Sequence, residues 1–298
     1  MITAIKGPRV RRAAAVVMTS GALVATGVLG SAPAQAAPAK PTITAKGGFV
    51  MNNSSGKSLF TKAADTPRAT GSTTKIMTAK VVLSQKNLNL DAKVTVSPVY
   101  SDYIVKNQAS HAGLIVGDKV TVRQLLYGLM LPSGCDAAYA LADKFGTGST
   151  RSARVKSFIG KMNSTAKSLG MTNTKFDSFD GISNGSNYST PRDLTKLASN
   201  ALKNTTFKSI VGTKVTKQKV TTKSGGYRYY TWENTNKLLG WKGTYGVKTG
   251  SGTQAKYCLV FAATRNGKTV VGAVLTAPSA DNRTADVKKL MDYGFATL

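Results

Sequence analysis

The chain has 298 residues, with 41 Lys and Arg against 13 Asp and Glu for a formal charge of +28, and it holds only two cysteines and one histidine. Two cysteines exclude a disulfide-framed scaffold, and with His111 alone there is little basis for a zinc site or a Ser-His-Asp triad, so no metal or cofactor is expected. The cations are spread along the whole chain without interleaved aromatics or a recognisable binding motif, which argues against nucleic acid as a partner.

Lys6, Arg9, Arg11 and Arg12 precede an apolar stretch over 13–29, and Ala34-Gln35-Ala36 offers small residues for cleavage. This order predicts a signal peptide over 1–36, cut between Ala36 and Ala37, and export to the extracellular side of the membrane. A membrane anchor is the alternative, but a spanning helix wants about 20 apolar residues, and this run is shorter and interrupted by Gly, Ser and Thr. In an exported chain the basic excess suits long-range attraction to anionic wall polymers or a membrane surface; a merely solubilising surface is the plain alternative.

Residues 37–298 suit one domain. Strands are expected over 43–51 and 58–61, joined by the turn-rich Asn52-Asn53-Ser54-Ser55-Gly56, then a helix over 72–86 and a short strand over 93–96. Thr121-Val-Arg-Gln124 reads as a capping box opening a helix over 122–130, which Pro132 and Gly134 end before a new helix over 136–145. Helices over 153–169 and 191–202 follow, the second capped by Thr190 with Pro191 in its first position. The chain then turns β-rich over 246–251, 256–264 and 269–275, with Asn266-Gly267 as a hairpin signal, and closes on a helix over 283–293. Strands at both ends with helices between predict an α+β fold. Its antiparallel sheet of about five strands is built from 42–97 and 205–298 and flanked by helices, with a mostly helical inserted region over 98–204.

Three short motifs lie in order along this frame: Ser72-Thr-Thr-Lys75, Ser133-Gly-Cys135 and Lys248-Thr-Gly250. Ser72 and Lys75, three apart at a helix start, share one face. A serine hydroxyl needs a base to become a nucleophile, and Lys75 serves only as the neutral amine, which burial or a neighbouring cation such as Lys248 would favour. Ser133, in a Pro-Ser-Gly break between helices, is placed to relay a proton. On a strand, Lys248 and Gly250 share a face; the missing side chain at Gly250 admits substrate backbone, and Lys248 with the hydroxyls of Thr249 or Ser251 can bind a terminal carboxylate. Each motif alone has a bland reading, Ser72 as a helix cap, Ser133 as a turn residue, Lys248 as a solvated side chain. The ordered set is specific.

The chain after residue 36 resembles the low-molecular-weight penicillin-binding proteins, serine-type D-alanyl-D-alanine peptidases. The resemblance rests on Gly71-Ser-Thr-Thr-Lys-Ile-Met-Thr78, Leu131-Pro-Ser-Gly134, Tyr188-Ser-Thr-Pro-Arg-Asp193, Asn234-Thr-Asn-Lys-Leu-Leu239, Val247-Lys-Thr-Gly250 and Lys288-Lys-Leu-Met-Asp-Tyr-Gly-Phe295. It implies a β-lactamase-like fold and a carboxypeptidase or transpeptidase acting on peptidoglycan stem peptides that end in D-Ala-D-Ala, with β-lactams as inhibitors and a monomer as the working unit. By resemblance Ser72 is the acylated nucleophile, Lys75 the base, Ser133 the relay and Lys248 a substrate-binding residue. The backbone N–H groups of Ser72 and Ser251 would form the oxyanion hole, and Arg283 would bind carboxylate. Cys135 stands where the family usually has Asn, replacing an amide with a thiol that donates and accepts only weakly. The two cysteines are expected as free thiols, with a Cys135–Cys258 disulfide as the alternative. Three residues follow Phe295, so the C-terminal domain and amphipathic anchor of many relatives are not expected. Two other readings compete. A β-lactamase needs a glutamate to activate water, and the only glutamate, Glu233, lies away from the 179–193 loop. A basic wall-binding protein with a decayed site is the non-enzymatic reading.

Overall fold

The computed structural model describes residues 38–298, which form one compact unit; the expected signal peptide lies outside the described residues. In chain order the strands are β1 (Gly47–Asn52), β2 (Ser58–Lys62), β3 (Lys93–Thr95), β4 (Lys119–Thr121), β5 (Val215–Thr221), β6 (Tyr227–Glu233), β7 (Thr244–Gly252), β8 (Lys256–Arg265) and β9 (Lys268–Ala277). The helices are α1 (Lys75–Leu83), α2 (Pro98–Asn107), α3 (Val122–Met130), α4 (Cys135–Phe145), α5 (Arg151–Ser168), α6 (Pro191–Ala201), α7 (Thr205–Gly212) and α8 (Ala280–Ala296).

Strands from the two ends of the described chain form a five-stranded antiparallel sheet in the order β2-β1-β9-β8-β7. β8 and β9 are its centre, and their near-continuous apolar runs fit strands covered on both faces. Asn266 and Gly267 both take positive φ, 48° and 73°, the geometry of a two-residue hairpin turn whose twist matches the strands. α8 covers one face with Val287, Leu290 and Met291. Asp286 on that helix accepts from the backbone N–H groups of Thr44 and Ala45 at 3.0 and 2.7 Å, which ties the start of the described chain to its end.

The other face rests on the helical layer. α1 is buried at seven of its nine positions, as suits a helix with apolar residues on most sides. The capping box at α3 forms as read: Thr121 N–H donates to Gln124 Oε1 at 2.9 Å and Gln124 N–H to Thr121 Oγ1 at 3.2 Å. Thr190 caps α6, with Pro191 in the first position.

A second sheet, in the order β3-β4-β5-β6, was not legible in the sequence beyond its first strand. β5 and β6 bury only Val220, Tyr230 and Trp232 and fill their outward positions with Lys, Thr and Tyr, so no apolar alternation marks them. Residues 205–233 therefore belong to α7 and this sheet rather than to the five-stranded one. α2 was also unforeseen; only Tyr100 along it is buried.

Candidate active site

A 3-10 turn over Gly71–Thr74 feeds directly into α1, so Lys75 opens the α-helix and Ser72 sits on the tighter turn before it. Ser72 caps nothing; neither helix start has a side-chain cap. The turn lies almost in backbone contact with β7. Gly71 has φ +50°, and a Cβ there would stand 2.6 Å from the Ser251 carbonyl oxygen and 3.0 Å from its nitrogen. A Cβ on Gly250 would meet the Thr70 oxygen at 2.7 Å. Two glycines thus let the turn and the strand close together, which sets Ser72 beside Ser251.

Lys75 is fully buried, and its Nζ has three partners: Ser72 Oγ at 2.9 Å, the Asp180 carbonyl at 3.0 Å and Cys135 Sγ at 3.3 Å. As an ammonium the lysine donates to all three; as a neutral amine it keeps two N–H donors and turns its lone pair to the Ser72 hydroxyl. Asp180 is itself held, its Oδ2 accepting from Tyr103 OH and its Oδ1 from Ile182 N–H, both at 2.9 Å. Thr78 Oγ1 donates to the Phe179 carbonyl, and Asn187 Nδ2 donates to Thr70 and Thr74 Oγ1 at 2.6 and 3.1 Å. The 179–187 segment is by these bonds one wall of the site.

Ser133 lies between α3 and α4 with φ +67°, a left-handed conformation rare outside glycine. Its carbonyl accepts from Ser110 Oγ at 2.7 Å, while its own Oγ is buried without a partner. Of the second motif, Cys135 Sγ is the atom hydrogen-bonded to Lys75 Nζ. Burial pushes the Cys135 thiol up from the ordinary range against the opposing pull of Lys75. Cys258 is also a free thiol, and burial drives it up to about 11.

Lys248 is 1 % exposed on β7. Burial first, and the neighbouring Lys75 amine second, push its amine well below the ordinary lysine range. Thr249 Oγ1 lies 2.6 Å from Thr235 Oγ1 and 3.4 Å from Lys248 Nζ. Arg283, on the first turn of α8, reaches the same place from the opposite end of the described chain. Ser72, Ser133, Thr249, Ser251 and Arg283 together line a cavity of about 220 Å³. The Arg283 Nε is buried with no hydrogen-bond partner, and the side chain pairs with no carboxylate among the described residues. On the far side of Ser72 a cleft of about 640 Å³ is lined by Gln108, Ser110, Ile182, Asn187, Ser251 and Thr253. A substrate lying across Ser72 would therefore put an anionic end against Arg283 and its remaining length in an uncharged polar trough.

All nine residues singled out in the sequence lie in or against this cleft. Ser110 and Asp180 had no local signal: each acts through a carbonyl or hydroxyl whose partner is distant in sequence, while Thr235 lay in a quoted motif without being assigned a part.

Residues 34–279 match the D-alanyl-D-alanine carboxypeptidase family of peptidases. The chain is 67% identical over 290 residues to the D-alanyl-D-alanine carboxypeptidase of Streptomyces sp. strain K15, spanning 97% of this chain and 99% of that one. The crystal structure of the Streptomyces K15 DD-transpeptidase superposes with a TM-score of 0.86 at 69% identity, covering 87% of this chain and all of that one. Penicillin-binding protein D2 of Listeria monocytogenes, in its ampicillin-bound form, gives 0.69 at 30% identity over 87% of this chain and all of that one. With the serine–lysine pair, the cleft and the α+β frame in place, these likenesses make the chain a member of the D-alanyl-D-alanine carboxypeptidase family, serine-type peptidases among the low-molecular-weight penicillin-binding proteins.

Proposed function

We propose that the protein is an exported carboxypeptidase or transpeptidase that cleaves D-Ala-D-Ala termini of peptidoglycan stem peptides through an acyl-enzyme on Ser72, and that penicillin blocks it by acylating the same oxygen. The observation that carries this reading is the Ser72 Oγ–Lys75 Nζ contact of 2.9 Å in a cleft with an unpaired arginine at one end. In the first step the Ser72 hydroxyl gives its proton to neutral Lys75 as Oγ bonds to the carbonyl carbon of the penultimate D-Ala. The backbone N–H groups of Ser72 and Ser251 take the charge that develops on the carbonyl oxygen. The C–N bond then breaks, and the leaving amine takes the proton that Lys75 received, with Ser133, whose buried Oγ has no partner of its own, as the hydroxyl that hands it on. Arg283, Lys248 and the hydroxyls of Thr249 and Ser251 hold the terminal carboxylate throughout. Water attacking the ester completes hydrolysis, and an amine completes a crosslink.

A β-lactamase needs a general base against the ester. Glu233 is exposed at the end of β6, and the Asp180 carboxylate is occupied by Tyr103 and Ile182, so nothing in the cleft matches that need. The penicillin adduct is accordingly expected to last for many minutes. Intact-mass spectrometry after penicillin treatment should show one added drug molecule. Ser72→Ala should abolish it, and Lys75→Arg should nearly do so because guanidinium keeps its proton. An adduct retained in Ser72→Ala, or none in the native protein, would defeat the assignment.

A further inference from the structure

The outward face of the second sheet combines lysines with exposed tyrosines. Strand register places Lys219 directly opposite Tyr229 and Thr221 opposite Tyr227, so side chains of both strands stand in adjacent rows. Lys219 Nζ lies 4.0 Å from the Tyr227 ring centre and Lys217 Nζ 4.4 Å from that of Tyr229. The two rings meet edge to face at 5.9 Å. Cross-strand pairs of this kind support a hairpin, yet they leave Tyr227 63% and Tyr229 49% exposed. Val215, on the same face, is 54% exposed.

The charge on this face is one-sided. Lys93 and Lys119 on the neighbouring strands join Lys217 and Lys219, and none of the four has a carboxylate partner among the described residues. Lys93 Nζ reaches only the Thr221 hydroxyl, at 3.4 Å. The one acid on the face, Glu233, sits at its far end, opposite Val215. Beyond that end the chain enters the catalytic cleft, where Thr235 meets Thr249 at 2.6 Å.

We propose that this face binds an anionic polysaccharide. Exposed tyrosine rings offer flat apolar surface for the C–H faces of sugar rings, with a hydroxyl at the edge. The lysines beside and beneath them complement negative groups carried along the polymer. Single-stranded nucleic acid could use the same side chains; the choice of a polysaccharide rests on the wall substrate proposed above. Bound here, the polymer would run alongside the strand that leads to Thr235 and hold the cleft near its substrate.

The test measures binding to polygalacturonate, with dextran, inorganic polyphosphate and poly(dT) as the other probes, at two salt concentrations. The native protein should bind polygalacturonate in a salt-sensitive way and leave dextran unbound. Tyr227→Ala/Tyr229→Ala should weaken that binding by about tenfold, the scale of losing an aromatic anchor. Lys217→Gln/Lys219→Gln should weaken it far more than Lys57→Gln/Lys86→Gln, which removes equal charge from exposed sites elsewhere. Circular dichroism melts establish that each variant is folded. Absence of polygalacturonate binding would overturn the proposal, as would equal loss in the two lysine pairs. Native-like binding by a folded tyrosine variant would do the same, and tyrosine-dependent preference for poly(dT) would give the face to nucleic acid instead. A protein that binds through this face but is never acylated would overturn the function proposed above and leave the surface standing.

Discussion

Gly71→Ala tests whether the close approach of the 3-10 turn to β7 is what positions Ser72. A Cβ at Gly71 would stand 2.6 Å from the Ser251 carbonyl oxygen, so the two backbones must part by about 0.8 Å to reach ordinary van der Waals contact. The turn cannot retreat the other way, because its Gly71 oxygen already lies where a Cβ on Gly181 would come within 2.0 Å. The new residue also inherits φ +50°, which costs an alanine about 1–2 kcal/mol. Parting the backbones moves Ser72 Oγ and the two N–H groups of the proposed oxyanion hole relative to one another. A misplacement approaching 1 Å costs about 10²-fold in rate. The assay is stopped-flow acylation by a fluorescent penicillin, read beside a urea melt. Gly170→Ala is the control: φ is +65°, but nothing lies within 4 Å of the added Cβ. It should lose only the stability that the positive φ costs and acylate normally. A folded Gly71→Ala protein acylating within about threefold of native would refute the positioning argument.

Arg283→Gln should raise KM for peptides ending in D-Ala-D-Ala by about 10²-fold with a smaller change in kcat, since a charged hydrogen bond to a carboxylate is worth about 1.5–3 kcal/mol; steady-state kinetics that show equal losses in both, or no loss, would place the arginine outside carboxylate binding. Cys135→Asn puts an amide beside Lys75 and should keep or improve peptidase turnover, with a gain of about 1 kcal/mol per net hydrogen bond, while the larger side chain at a 1%-exposed position costs about 1–3 kcal/mol of stability. An inactive but folded variant would show that the thiol itself is needed. Because burial raises both thiols, alkylation by iodoacetamide at pH 7 should be slower than for an exposed cysteine, with Cys135, which borders the larger cleft, reacting before Cys258; the reverse order would contradict the placement. Asp143 gathers Arg151 Nε at 2.9 Å, Arg154 Nε at 2.7 Å and Tyr100 OH at 2.9 Å. Burial alone would raise its carboxyl, but these bonds outweigh burial and lower it below the ordinary 3.8. Its contribution is therefore complete above the unfolded value and lost as pH falls through the folded one, so Asp143→Asn should cost about 2 kcal/mol at pH 7 and progressively less below about pH 4. A stability gap that is unchanged in acid would rule out the ionised carboxylate as its source.

The three ordered motifs, the two-ended assembly of the five-stranded sheet and the family were legible in the sequence, because each is written locally. Ser72 and Lys75 are one helical turn apart, the Thr121–Gln124 capping box and Asn266-Gly267 act through their own backbones, and β8 and β9 are apolar enough to be core wherever they lie. What it could not determine was carried by residues whose neighbours are far along the chain. The β5–β6 hairpin has polar outer rows and becomes a sheet only through pairing and the burial of Tyr230 and Trp232. Asp180 serves Lys75 through a carbonyl, which every residue possesses, so no residue type announces it. Ser133 and Cys135 are two positions apart, yet the left-handed turn at Ser133 is what brings the sulfur, rather than the hydroxyl, to Lys75. Arg283 was singled out by resemblance alone; nothing in its local sequence separates it from the other cations, and α8 is what carries it to the cleft. The electrostatics of Lys248 were likewise decided in three dimensions, since a charge next to another charge in sequence reasoning carries no desolvation cost, and burial in the folded protein is the larger of the two effects.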